Sequence, residues 1–375
     1  MGKGTSWNIS GFTGFLVVYL QPLIYFLRGM EGSRMMGKTK KDRVLGTLRG
    51  EKEQIAAISV CQYATYELME KTGAYWPEAH YQAEPMAKLA AGGATVIGLG
   101  AVRVPYCQTV EAEIYGAQIK DGGKTHIPSI AVHPYQIGDE PKIPDDFVKK
   151  GRIPAILDAI RILKREVGDR AVVMGSIVGP FSVAANLVGI SALLKASLRK
   201  PDTIVPYIEA ATETAIQYAE AVIEAGADAL VIEDMMASLD MISPRTYKAL
   251  AAPYETRVIA AVAKRIPVIV HICGKLDQVM TDIAATGADA ISVESAVDIP
   301  AAQKKFDEAG VHTPIIGAVH PIKALLEGTA EDVAAAVQKS AADGAALISP
   351  DCSVAPNTPL ANLAAMVEVT EKLSV

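Results

Sequence analysis

Three residues of this 375-residue chain have the types and the placing to hold a metal ion: His271 and Cys273, two apart, and Cys352 far downstream. On an extended strand, side chains two apart project to the same face. In the run Val270-His271-Ile272-Cys273-Gly274 the imidazole and the thiol therefore point the same way if the strand continues to Cys273, and Gly274 then lets the chain turn. One imidazole and two thiolates make a three-ligand set for Zn2+ with a fourth position left open, the pattern of catalytic zinc. The H-x-C pair alone is a weak signal, because apolar strand ends often carry a buried His or Cys. Cys352, in the turn Ser349-Pro350-Asp351-Cys352-Ser353 after another apolar run, strengthens it. On residue chemistry alone, a metal site and a merely packed trio both stay open.

Such a trio works only if two distant strands end side by side. Three segments read alike, EAGADALVIED at 224–234, ATGADAISVES at 285–295 and ADGAALISPDC at 342–352. Each is a helix end, a Gly stop and a short apolar run that ends polar, which is the second half of a βα unit. Extending this reading gives eight strands: Ile55–Val60, Ala101–Pro105, Ala171–Ser176, Ala229–Glu233, Val268–His271, Ala290–Val293, Ile315–Gly317 and Ala345–Ile348. Amphipathic stretches fall between most of them, such as Ile153–Val167, Thr203–Ala225, Pro244–Lys264 and Ala330–Ala342. The expected fold is an α/β (β/α)8 TIM barrel, whose function gathers at the C-terminal ends of the strands. An open doubly wound sheet is the alternative, weakened by the absence of an early Gly-rich phosphate loop. Residues 108–150, long, irregular and containing His126 and His133, are expected to be either a lid over the barrel mouth or a plain surface loop.

Other polar residues fall at expected strand ends. Glu233 and Asp234 end the fourth strand, where they can orient His271 or protonate a leaving group; the competing role is helix capping. Glu294 ends the sixth strand, and His320 follows the seventh. Arg103 lies within the second strand and needs a partner if buried, either a substrate anion such as a sulfonate or a structural carboxylate. Glu111 and Glu113 read as a helix surface with an outside chance of lining the mouth. Cys61 and Cys107 end the first and second strands and read as small packed residues.

The bulk composition fits a single large enzyme domain. Half the residues are hydrophobic and only 6% aromatic, the balance of a parallel sheet wrapped in helices. A net charge of -6 with no long basic run argues against a nucleic-acid surface. Four scattered cysteines are no disulfide framework and point to a reducing, cytoplasmic setting. One segment stands apart: Gly11–Leu27 is apolar but broken by Gln21 and Pro22, and shorter than the ~20 residues of a spanning helix. Residues 1–35 are thus set aside as an N-terminal extension that is disordered, mis-assigned, membrane-associated or a packed cap, and 36–375 as the catalytic barrel.

Several blocks together resemble a known family. HICG at 271–274 with PDCSVAPNTPLAN at 350–362, GAYWPEAH at 73–80, AVRVPY at 101–106 and GSIVGPF at 175–181 are similar to the methylcobalamin:coenzyme M methyltransferases of the uroporphyrinogen decarboxylase superfamily. The resemblance implies zinc on His271, Cys273 and Cys352, and transfer of a methyl group from a methylated corrinoid to the thiol of coenzyme M in methanogenesis from methylated compounds. It favours Asp234 over Glu233 and gives His80 a place lining the pocket. No D-x-H-x-x-G motif is present, so the corrinoid is expected on a partner protein or as free methylcobalamin. The chain departs from the family pattern at Asp351 and Ser353, which flank Cys352 where glycines are usual, at Asp234-Met235 in place of Asp-Pro, and at Ala318 where Asn is common. Those departures leave other acceptors open, a folate or a different thiol. A uroporphyrinogen decarboxylase-type decarboxylase would need arginines after the first strand, where Cys61-Gln62-Tyr63 offers none. A non-catalytic module binding zinc or a corrinoid protein is the remaining alternative. The sequence leaves the oligomeric state open.

Overall fold

A computed structural model describes residues 1–2 and 38–373. The apolar stretch at 11–27 and most of the expected extension lie outside the described residues. The compact unit that carries the sheet begins at Lys40.

Among the described residues eight strands are formed: β1 (Ala101–Val104), β2 (Gln118–Lys120), β3 (Ser129–Val132), β4 (Val172–Val178), β5 (Ala229–Glu233), β6 (Val268–His271), β7 (Ala290–Ser292) and β8 (Ile315–Ile316). Six of them make one parallel sheet in the order β1-β4-β5-β6-β7-β8. The expected first and last strands, at 55–60 and 345–348, are reduced to isolated parallel bridges, yet they close the ring. Gly100 N donates to Ala57 O at 2.8 Å, Ile58 N to Ile348 O at 2.8 Å, Ile348 N to Ala56 O at 3.0 Å and Ala346 N to Ile315 O at 2.8 Å. The result is the (β/α)8 barrel, with all eight expected segments as staves.

Two-residue periodicity sorts each stave into an inner and an outer face. One buried cluster, containing Ile58, Ala101, Val172, Met174, Ala229, Val231, Ile269, Ala290, Ile316 and Leu347, fills the barrel interior. The intervening residues, such as Val173, Leu230, Ile232, Val270 and Ile291, pack against the helices. Following the inner series toward the strand ends replaces these aliphatics with Arg103, Ser176, Glu233, His271 and Ser292, all buried. The chemistry of the interior thus changes from apolar to polar along the axis.

The helices follow from pattern and from proline. Ile153–Glu166 buries Ile153, Ile156, Leu157, Ile160 and Leu163, spaced for one helical face, with Pro154 in its first turn. The expected helix at 244–264 is two, Pro244–Leu250 and Ala252–Val262. Pro253 has no N–H to continue the first helix, and the chain bends at Ala251. Helix Val205–Glu224 lies so close to β4 that a Cβ on Gly175 would come within 2.2 Å of Val222. Among the described residues no single helix is long and apolar enough to cross a membrane. Residues 108–150 contain the antiparallel hairpin β2–β3 rather than featureless loop.

Candidate metal centre

His271 ends β6 in the middle of the sheet, with Glu233 and Ser292 as its register partners on either side. Its Nδ1 lies 3.0 Å from Ser292 Oγ, which fixes the ring and leaves Nε2 facing the mouth. The strand stops at His271, short of Cys273; Gly274 then turns at φ 74°, and a Cβ there would strike Asp240 at 2.2 Å, so glycine is what lets the chain turn directly after Cys273. Cys352 arrives from the stave at 345–348, on the turn Pro350-Asp351-Cys352.

The three ligand atoms all lie within 4.8 Å of one another, and among the described residues this is the group of that kind. Cys273 Sγ is 3.3 Å from His271 Nε2 and 3.6 Å from Cys352 Sγ. Around a tetrahedral zinc with the usual bond lengths, two sulfurs stand about 3.8 Å apart and a sulfur and a nitrogen about 3.5 Å apart. The donor set therefore fits Zn2+ in spacing as well as in type. Contact with Cys273, and then with Cys61, holds Cys352 well below the ordinary thiol range. Cys273 is pushed up by the same contact and by burial. Burial opposes the charged form of His271, and Cys352 more than restores it.

Around this trio the expected site residues separate. Glu233 faces inward; its Oε1 takes a hydrogen bond from Arg103 Nη1 at 2.6 Å and its Oε2 one from Gln108 at 2.9 Å. Arg103 is thereby occupied by a protein carboxylate, with Pro105 O at 2.7 Å as its second acceptor. Asp234, next in sequence, must face outward. It accepts from Phe181 N, Ser182 N and Ser182 Oγ at 3.2, 2.8 and 2.6 Å, capping helix Pro180–Val188 rather than orienting His271. A Cβ on Gly179 would meet its carboxyl at 2.4 Å, so glycine there admits the contact. Glu294 is half-buried beside the trio, its carboxyl raised by burial and then by Cys352 and Asp351.

His80 and His320 sit elsewhere. His80 is 2% exposed in an aromatic cluster, 4.9 Å from Trp76 and 5.9 Å from Tyr106 between ring centres. Burial, followed by Arg152, pushes it down to about 3, so it is neutral at physiological pH. His320 caps the turn Pro321–Leu326, accepting from Ile322 N at 3.2 Å. Glu111 is buried and accepts from Val178 N at 2.8 Å, while Glu113 pairs with Arg152.

Three participants were not singled out for the site by the sequence. Ser292 holds the imidazole. Asp351, buried, accepts from Ser295 N at 3.0 Å and so ties the Cys352 turn to the segment carrying Glu294. Cys61 faces Cys352. Beside Cys352 opens a cavity of about 690 Å3, lined by Gln62, Ser353–Pro356 and hairpin residues Lys120–Gly123 and Thr125–Ile127. Hairpin residues thus border this cavity.

Comparison with known proteins agrees with this architecture. The uroporphyrinogen decarboxylase (URO-D) family pattern matches residues 39–373. A methylcobamide:CoM methyltransferase of Methanosarcina barkeri is 36% identical over 89% of this chain and 98% of its own length. Another so named, from Methanosarcina acetivorans, is 38% identical over 88% and 97%. The solved structure of a methyltransferase from Methanosarcina mazei superposes with a TM-score of 0.84 at 35% identity, over 90% of this chain and 99% of the other. The chain belongs to the uroporphyrinogen decarboxylase family and, within it, to the methyltransferases.

Proposed function

We propose that the protein transfers a methyl group from a methylated corrinoid, brought by a corrinoid protein, to the thiol of coenzyme M, at a Zn2+ ion held by His271, Cys273 and Cys352, in methanogenesis from methylated compounds. The observation that carries this reading is the spacing of the three donor atoms, all within 4.8 Å of one another at the C-terminal ends of the staves. The names of the relatives support the donor and the acceptor.

A thiol near neutral pH is mostly protonated and a poor nucleophile. A zinc ion whose charge is balanced by two thiolates would deprotonate the incoming thiol and leave electron density on its sulfur. The substrate sulfur then attacks the methyl carbon; the S–C bond forms as the Co–C bond breaks, and the electron pair stays on the corrinoid as Co(I). The chain's own part is placement. Ser292 sets the ring of His271, the Arg103–Glu233 pair keeps the polar layer beneath the site neutral, and Glu294 stands where it can receive the thiol proton.

The test is metal content together with methyl transfer from methylcobalamin to coenzyme M. We expect near-stoichiometric zinc in the parent, and loss of both zinc and transfer in Cys273→Ala. Full transfer without metal would end the mechanism, and full zinc loading with no transfer to any thiol would leave a binding module. A panel of acceptors with and without a sulfonate distinguishes coenzyme M from other thiols.

A further inference from the structure

We propose that the helix Ile190–Arg199 is the docking element for the protein that delivers the methylated corrinoid, and that the partner meets it with an acidic, partly apolar face. The inference rests on the reading of this chain as a corrinoid-dependent methyltransferase.

The topology puts this helix on the rim of the barrel mouth. The chain leaves the C-terminal end of β4 through the helix Pro180–Val188 and turns at Gly189, where φ is 90°. It then runs through Ile190–Arg199 before Val205–Glu224 carries it back to the start of β5. The two short helices are bent by 111° at the glycine. The first is buried almost throughout, whereas Ile190–Arg199 fully buries only Leu193 and Ser197. The segment leaving the hairpin is fastened to the same corner: His133 Nδ1 is 2.8 Å from Asn186 O, and Tyr135 N donates to Leu187 O at 3.1 Å.

The sequence gives this helix more apolar surface than the core uses. At 3.6 residues per turn, Ile190, Leu194 and Leu198 form a stripe that continues outward from Leu193 and Ser197. Leu198 is 74% exposed, Ile190 43%, and Leu194 is half-buried. Lys195, Arg199 and Lys200 lie beyond the stripe, all exposed, and among the described residues none has an ion-pair partner. Such a cluster of unpaired cations runs against a chain whose net charge is -6. At both ends the stripe meets concave surface. Ile190 lines a cavity of about 300 Å3 together with Gln108, whose amide holds Glu233. Leu198 borders a groove of about 570 Å3 together with Arg245, Tyr254 and Asp202.

Charge decides the occupant. A second copy would meet this face across a two-fold axis, which sets the three cations against themselves. A lipid surface would find one short stripe, because the preceding helix is committed to the barrel. A protein with acidic residues around an apolar ridge complements both the stripe and the cations. The sequence has no D-x-H-x-x-G motif of its own, so the corrinoid arrives on another protein, and lowering its cobalt onto the mouth brings that carrier against the rim.

The experiment compares two methyl donors with the full-length protein and coenzyme M: free methylcobalamin and a panel of purified methylated corrinoid proteins. The variants are the combined Lys195→Glu, Arg199→Glu and Lys200→Glu reversal, and Leu198→Ser, all at exposed positions. With the fastest protein-bound donor, kcat/KM is expected to fall roughly tenfold or more in the reversal and less in Leu198→Ser, while transfer from methylcobalamin stays near parental. Added salt is expected to narrow the gap between parent and reversal. An equal fall with both donors, or no fall with the protein-bound one, overturns the docking role. Transfer from methylcobalamin with none from any corrinoid protein does the same. Binding of phosphatidylserine vesicles, or a dimer seen by light scattering, that the reversal abolishes while protein-donor kinetics stay parental would give this face to a membrane or a second copy and overturn the proposal. No transfer from any methylated corrinoid would instead overturn the proposed function, and this inference with it.

Discussion

The two faces of β5 at the barrel mouth handle buried charge in opposite ways. Glu233 and Asp234 are adjacent and both almost wholly buried. On the inner face Glu233 meets a cation: the Arg103 and Glu233 side chains are each 2% exposed and 2.6 Å apart. On the outer face Asp234 meets no cation. It caps a helix N-terminus, where backbone N–H groups and the helix dipole favour a negative group, and shares its surroundings with Glu255. Both outer carboxyls are raised, first by burial; for Glu255 the charge of Asp234 adds to this. The inner face thus holds a paired charge beside the candidate metal site, and the outer face two carboxyls that burial pushes toward keeping their protons. Burial alone does not distinguish them; what each oxygen touches does.

If this division holds, substitutions on the two faces produce different losses. The largest is expected from Arg103→Met, which strands a buried carboxylate. Breaking such a pair costs about 3–5 kcal/mol, to be read from urea unfolding. A loss under about 1 kcal/mol would mean the pair is solvated and the inner face not as dry as described. Ser292→Ala should weaken zinc binding by roughly 10–100-fold in chelator competition, with unfolding free energy little changed. Asp234→Asn should do the converse, lowering stability by about 1–2 kcal/mol through the weakened cap while zinc content and kcat stay near parental. A fall in kcat at unchanged stability would instead give Asp234 the catalytic role its sequence position suggested.

The smallest effect is a change of slope. A carboxyl whose pKa rises on folding stabilises the fold while it keeps its proton. For Glu255 that contribution is complete below about 4.5, its ordinary value, and is lost as the pH climbs through the raised folded value. Glu255→Gln removes the titration, so its Tm should gain on the parent's between pH 5 and pH 9. Parallel Tm curves would show that folding does not raise the Glu255 carboxyl.

Much of this was legible in the chain itself. The H-x-C pair with a distant Cys gave the trio that the fold brings within 4.8 Å, and runs of apolar residues after Gly stops located the eight staves. The split of Glu233 and Asp234 was also within reach, because neighbours on a strand cannot face the same way. The break at Ala251 was equally implicit in Pro253. The remainder depended on register, which a single sequence does not carry. Ser292 meets His271 because β6 and β7 align at that level, and Ser292 is otherwise an unremarked serine. Cys61 lies beside Cys352 only because the first and last staves meet. His80 is part of a fairly specific sequence block, yet its surroundings are aromatic packing, which explains the block without giving the imidazole a substrate.

The staves that carry the ligands are not equally anchored. His271 is laced into the sheet on both sides, so its place is set by main chain. Cys352 follows a stave joined by isolated bridges, and its turn is held both by main chain, Val319 N to Ser349 O at 2.9 Å, Asp351 N to Val319 O at 3.0 Å and Val354 N to Gln62 O at 2.9 Å, and by side chains, Ser349 to Val60, Asp351 to Ser295 and Gln62 to Val354. Main-chain anchorage resists substitution, whereas side-chain moorings can be replaced one at a time. The proposed ligand Cys352 thus has moorings of both kinds, and replacing the side-chain ones offers evolution or an engineer a way to shift its sulfur by fractions of an ångström without rebuilding the barrel.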